Sequence, residues 1–231
     1  MHYDFKMKLN KIDSQQYRNL LVPEIDWILN EAQELFIKLI AEPRNKSING
    51  FEKSQRNTED IRSLIAENQA LARVTNTDLY LFPSEYWYYL SGTAQIRKGD
   101  CPCVEASIKI RQHDDDFEES PFDSSSYEWR TLNAVFNKTG LRIVKSSSIA
   151  INGVNITYIK IPRYMHNAED FRAGGYSIPG RAPLTGTADC ELPSHTHREI
   201  VDIAALIATG QIQAADYQIK MAKLQLNDIK A

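Results

Sequence analysis

The feature that most restricts how this chain can fold is a change of hydrophobic period along it, with helical spacing at both ends and two-residue alternation between. Near the start, Pro23 stands in a first helical turn, with Glu24 and Asp26 at the positive end of the helix dipole. Ile25, Ile28, Leu29, Ala32, Leu35, Phe36, Leu39 and Ile40 then recur at the spacing of one helix face. This predicts a helix from Pro23 to Ala41, a rod of roughly 28 Å, which Pro43 ends. Asp13-Ser14 offers an earlier N-cap ahead of Gln15-Gln16-Tyr17. Thr58 caps a further helical stretch through Ile61, Leu64, Ile65 and Ala66 toward Leu71. At the far end, Leu192-Pro193-Ser194 stops the chain ahead of an apolar helix over 194–209 carrying Ala204, Ala205 and Ala208. Gly210 separates it from a second helix over 214–228.

Between these blocks the pattern is that of strands. Leu79-Tyr80-Leu81-Phe82 is a short apolar run, and Pro83-Ser84-Glu85 suggests one helical turn feeding a strand through Tyr86-Trp87-Tyr88-Tyr89. Residues 104–111 alternate with period two, as a half-buried strand does. Asn137-Lys138-Thr139-Gly140 is a turn between 131–136 and 141–145, and Asn152-Gly153 is the strongest short hairpin signal in the chain. The region 171–189 holds Gly174-Gly175, Pro179-Gly180, Pro183 and Gly186, an irregular segment of the kind that binds or is ordered by a partner. The fold expected is α+β, a bundle of N- and C-terminal helices with an inserted antiparallel β unit. Its divisions are 1–77, 78–170, 171–193 and 194–231.

Composition narrows the function classes. The length of 231 residues suffices for one well-buried domain or one domain with a large insertion. A net charge of −3 provides no global basic field for holding nucleic acid by counterion release. The first residues, Met1-His2-Tyr3-Asp4-Phe5-Lys6-Met7-Lys8, lack the apolar core of a signal peptide. No apolar run approaches the ~18 residues of a membrane helix. Three cysteines fit reduced thiols better than a disulfide framework. Together these predict a chain cytosolic at synthesis.

The candidate chemistry is thin. Cys101-Pro102-Cys103 is one close thiol pair, with Cys190 far away, where a zinc site prefers two ligand pairs. His113-Asp114-Asp115-Asp116, near Glu118 and Glu119, lacks the glycine and the spaced acids of a calcium loop. His195 and His197 lie two residues apart and do not share a helix face. Gly174-Gly175 and Gly50 match neither a phosphate-binding loop nor a dinucleotide fingerprint. The reading is no catalytic, cofactor or metal site, and no enzyme. Tyr86–Tyr89 could line a stacking platform for sugars or bases, although such runs more often serve the core.

Three stretches carry a family resemblance. They are Asn10-Lys11-Ile12-Asp13-Ser14-Gln15-Gln16-Tyr17 with Pro23-Glu24-Ile25 and Asn30-Glu31-Ala32-Gln33, then Leu81-Phe82-Pro83-Ser84-Glu85-Tyr86-Trp87-Tyr88, and the block over 192–226. The chain resembles head-to-tail connector (adaptor or ring) proteins of short-tailed phages, most of all the ring proteins of crAss-like phages. The resemblance implies a virion structural protein at the portal–tail junction, present in host cytoplasm during assembly. It implies a homo-oligomeric ring, dodecameric by resemblance, that contacts the portal and other tail or ring proteins and lets DNA pass without sequence preference. Its oligomer and portal interface would use Gly174, Gly175, Tyr176, Pro179, Arg181, Tyr217, Met221 and Leu224. Two other readings remain: a carbohydrate- or cell-surface-binding module of a phage tail, and a small metal-dependent enzyme using Cys101, Cys103, His113 or the acidic run.

Overall fold

The structure, a computed structural model, describes residues 1–10, 20–41, 58–111 and 124–211. The chain divides into two compact units, one of Met1–Ser63 with Pro162–Ala231 and the other of Leu64–Ile161.

The first unit is built on three helices, α1 (His2–Asn10), α2 (Val22–Ala41) and α3 (His197–Gln211). The Leu21 amide donates to the Glu24 side chain at 2.8 Å, and Ile25 N–H closes the first turn onto Leu21 C=O at 3.0 Å. The bond occupies one of the donors that a helix start leaves unpaired. Ile25, Ile28, Leu29, Ala32, Phe36 and Ile37 are buried on one face of α2. α3 packs against α1 and α2. Ala204, Ala205 and Ala208 are buried on it, and their small side chains permit a close helix approach. Lys8 on α1 is ion-paired with Asp202 on α3. The rest of this unit is two short ladders, β9 (His166–Asn167) with β12 (Thr187–Ala188), and β10 (Gly175–Tyr176) with β11 (Leu184–Thr185).

In the second unit, eight strands run β1 (Ile65–Ala70), β2 (Ala72–Arg73), β3 (Leu79–Leu81), β4 (Tyr86–Lys98), β5 (Val104–Arg111), β6 (Thr131–Asn137), β7 (Gly140–Val144) and β8 (Ile149–Lys160). They form one sheet in the order β1-β8-β4-β5-β6-β7-β3-β2. The edge strands β1 and β2 are separated by Leu71 alone, and its amide donates to Val154 C=O on β8 at 2.9 Å. The chain thus steps from one edge of the sheet to the other in a single residue, and the sheet curls into a nearly closed, barrel-like form. Alternate side chains fill it: Ile96, Ala106, Ile108, Leu132, Ala134, Leu141, Ile143, Val154, Ile156 and Tyr158 are all buried. Each large one contributes about 1.5–3 kcal/mol by leaving water.

The fold differs from the α+β arrangement that the sequence predicts. The described chain is mostly β, organised by the eight-stranded barrel-like sheet, and is not a helical bundle with an inserted β unit. The sheet is not wholly antiparallel either, because β5 pairs with β6 in parallel, Ser107 opposite Thr131 through Arg111 opposite Val135. The helix expected from Thr58 to Leu71 stops after one turn over 58–61 and a 3-10 turn, Arg62–Leu64. From Ile65 the backbone is strand, paired with β8. Ile61, Leu64 and Ile65 carry a helical spacing, but sheet pairing supplied from far along the chain overrides it. Asn152-Gly153 is not a hairpin. β4 opposes β8 on both sides of it, Gln95 facing Gly153 and Ile96 facing Ile151, so Asn152 is the extra residue of a β-bulge. Helix α1 has no counterpart among the sequence expectations. The expected N-cap at Asp13-Ser14 and the helix over 214–228 lie outside the described residues, as does all but Thr58 of the stretch Arg44–Thr58, whose polar residues and Asn49-Gly50 predict an exposed loop.

Candidate assembly surface

The segment 162–196 is held to the first unit by two polar side chains of α2. Asp26 and Asn30 are four residues apart, so they point the same way on the apolar face, and both are buried. The Asn30 amide donates to Met165 C=O and to Asp26 C=O, each at 2.7 Å, and its oxygen accepts from Met165 N–H at 2.8 Å. The Asp26 carboxylate accepts from Tyr176 Oη at 2.5 Å and from Asn167 N–H at 3.2 Å, with His2 Nε2 at 2.6 Å. Burial first, and then the Asp26 carboxylate, push the Tyr176 phenol well above its ordinary pKa, so it stays a proton donor. Buried polar groups must be paired, and these two residues pair one another with a backbone that has little regular ladder of its own.

The sequence-predicted interface residues divide on this frame. Gly174 closes a 3-10 turn, Arg172–Gly174. Gly175 lies so close to β11 that a Cβ there would meet Leu184 O at 2.9 Å, and its lack of a side chain serves the ladder. Tyr176 is the strut to Asp26, and Phe171 meets its ring edge-on at 5.8 Å. Pro179 and Arg181 are exposed in the β10–β11 connection, and the Arg181 guanidinium lies 4.3 Å from the Tyr164 ring centroid. Tyr217, Met221 and Leu224 lie outside the described residues. The segment read as irregular therefore takes much of its order from its own chain.

The other candidates are dispersed. Cys101 and Cys103 are exposed free thiols, and Cys190 is a free thiol whose pKa burial raises. His195 Nε2 lies 2.8 Å from Asp60 Oδ1, while His197 Nε2 lies 2.9 Å from Leu192 O, so the two imidazoles have separate partners. The acidic run over 113–119 lies outside the described residues. Among the described residues no group of three or more His, Cys, Asp or Glu converges as a metal site would require. No helix among them is long and apolar enough to cross a membrane. The aromatic run is turned largely to internal use. Tyr86 stacks on Phe82 at 4.0 Å, Trp87 stacks on Tyr88 at 4.9 Å, and burial raises the Tyr89 hydroxyl to about 12.

What does reach solvent is a set of large apolar side chains. In the first unit Tyr3 is 73% exposed, Trp27 58% and Leu39 64%. In the second, Trp129 is 76% exposed. Single exposed apolar residues are ordinary, but tryptophans held in water on ordered elements are the usual anchors of protein interfaces. From the sequence Asp26 has a place only at the helix start, Asn30 only in the family resemblance, and Trp129 none. For the first two a signal was present, since polar residues at i and i+4 interrupt the apolar stripe Ile25, Ile28, Leu29, Ala32.

Exposed anchors of this kind suit a surface that contacts other proteins. Comparison with known families decides which kind. The family model described as phage tail ring protein 3/4 matches residues 2–218. The chain belongs to that family. The expected kinship with crAss-like phage ring proteins is thereby shown, and the ring protein is a viral structural component of the phage tail. No curated protein matches the chain. The exposed residues just described are the candidates for the ring protein's contacts with its neighbours.

Proposed function

We propose that the ring protein closes into a homo-oligomeric connector between the portal and the tail of a short-tailed phage, leaving a central passage for DNA. The observation that carries this reading is the family match over nearly the whole chain. The exposed anchors Trp27, Leu39 and Trp129 support it, because a subunit with neighbours on both sides needs such side chains. Pro179 and Arg181 extend the contact in this reading, while Tyr176 fixes the base of their segment. With a net charge of −3, the protein lacks the field that would hold a passing duplex. A dodecamer is the copy number that goes with this reading.

The test is electron microscopy of the purified full chain over a concentration series, alone and mixed with the cognate portal. Closed rings, free or seated on the portal, are the expected result, and their symmetry gives the copy number. Monomers that persist with portal present would exclude a connector. The stacking of Trp87 on Tyr88 turns these two rings on each other rather than leaving them side by side as a sugar platform would, which favours the connector over a carbohydrate module.

A further inference from the structure

Trp129 stands out at the surface without belonging to a loose loop. Ser126 and Thr131 exchange both backbone hydrogen bonds across its turn, at 2.9 and 3.1 Å. Arg130 N–H donates to Tyr127 C=O at 3.2 Å, and Trp129 N–H donates to Ser126 Oγ at 3.3 Å. The Tyr127 hydroxyl donates to Pro102 C=O at 2.7 Å, and Lys98 Nζ holds Glu128 Oε1 at 2.5 Å. A rigid turn thus presents the most exposed large apolar side chain among the described residues. Such an anchor loses little conformational freedom when it is covered.

At the other end of β6 lies a shallow aromatic hollow of about 430 Å³, lined by Phe82, Pro83, Tyr86, Phe136, Lys138 and Thr139. Its floor is preformed, since Phe82 and Tyr86 stack within 3° of parallel and Phe136 tilts against Phe82 at 6.1 Å. Phe136 remains 45% exposed there. Trp129 precedes β6 by two residues and the hollow sits at its end, about 20 Å away along the strand. Charge is present at both places: Glu128, held by Lys98 and close to the exposed Arg130, stands beside the tryptophan, and the exposed Lys138 stands on the rim of the hollow.

We propose that Trp129 of one copy seats in the Phe82–Tyr86–Phe136 hollow of the next, with Glu128 facing Lys138, as a head-to-tail contact between successive copies. This rests on the ring reading and gives it a residue-level joint. Two different patches on one molecule make a heterologous contact, and such a contact repeated by rotation closes a ring. One tryptophan contributes roughly 150–250 Å² of the area, so it is an anchor within a larger interface.

The test uses the full chain with Trp129→Ala, which lacks the plug, and Thr139→Trp, which fills the hollow from its exposed rim. Sedimentation velocity and electron microscopy read the assembly state, and thermal unfolding checks that each variant folds. Neither variant alone closes rings, while an equimolar mixture stops at a two-copy species, because only one plug and one hollow remain to meet. Should Thr139→Trp unfold early, Lys138→Glu replaces it and raises the concentration needed for rings by roughly tenfold. Rings from Trp129→Ala as readily as from wild type overturn the contact and leave the ring reading standing. Wild-type protein that closes no rings under any condition overturns both.

Discussion

The two units solve the same problem by opposite means. The β unit gathers a continuous apolar interior and lets its backbone pair itself, strand to strand, around a nearly closed sheet. The helical unit has to hold a segment with only two-residue ladders, and it does so with directional bonds from two buried polar side chains, Asp26 and Asn30. Where a backbone supplies its own hydrogen bonds the core can be greasy; where it does not, the core must bring donors and acceptors. The β unit is therefore expected to answer to shape, and the helical unit to hydrogen bonding.

The largest break in that contrast comes from Gly140. A Cβ there would fall 2.0 Å from Tyr80 O, so Gly140→Ala has to push β3 away from β7 and open the sheet. The cost is about 4 kcal/mol or more, read as a lower urea midpoint together with lost amide protection in β2 and β3. Next, Asn30→Leu keeps the number of heavy atoms and the branching of the side chain, and strands both polar groups of Met165. This costs about 3 kcal/mol, with exchange protection lost at Met165 and unchanged at Ile156. Protection falling equally in both units would dissolve the distinction. Ala204→Leu and Ala208→Leu overpack α3 at ~1–3 kcal/mol each, and unchanged unfolding in the double variant would deny the close approach of the helices.

Tyr176→Phe costs about 1.5 kcal/mol, the scale of a bond to a charged acceptor. Its pH dependence has a definite sign. The folded-state pKa is raised, so the bond contributes fully below pH 10, the ordinary phenol value, and its advantage shrinks as pH climbs above that. A wild-type advantage over the variant that is flat from pH 7 to 11 would deny the Asp26 bond. The smallest effect is at Glu128, whose pKa is lowered to about 2 by its hydrogen bond with Lys98. Its contribution is present above the usual carboxylate range and lost as pH falls toward 2. Comparing wild type with Glu128→Gln through that window should show a small difference that vanishes in acid and shrinks with salt, as befits an exposed pair.

Much of the local structure was legible. The helix from Pro23, the strand at Val104–Arg111, the turn at Asn137–Gly140 and the buried alanines of α3 all follow from spacing, because each is decided by neighbours a few residues away. The failures share one cause. Residues 65–70 can be helix or strand on local grounds, and β8 makes them strand from some ninety positions later, as Ile65 opposite Ile159 illustrates. Asn152-Gly153 is turn chemistry put to use as a bulge, because β4 is long enough to pair on both sides of it. The partner of Tyr176 was hidden for a like reason: an aromatic in a glycine-rich stretch looks free until a carboxylate from α2 is found beneath it.

By itself the sequence determined the family, the helices with strong apolar stripes, and the absence of any familiar catalytic or nucleotide-binding motif. These properties reside in residue types and short spacings, which the chain carries in every conformation. Only the tertiary structure decided that the sheet curls until its two edges are joined through Leu71, that β5 and β6 run parallel, that Asp26 and Asn30 are buried struts, and that Trp129 and the Phe82 hollow lie at opposite ends of one strand. Each of these depends on groups distant in sequence meeting with their hydrogen bonds satisfied and water expelled, a condition that no local spacing encodes.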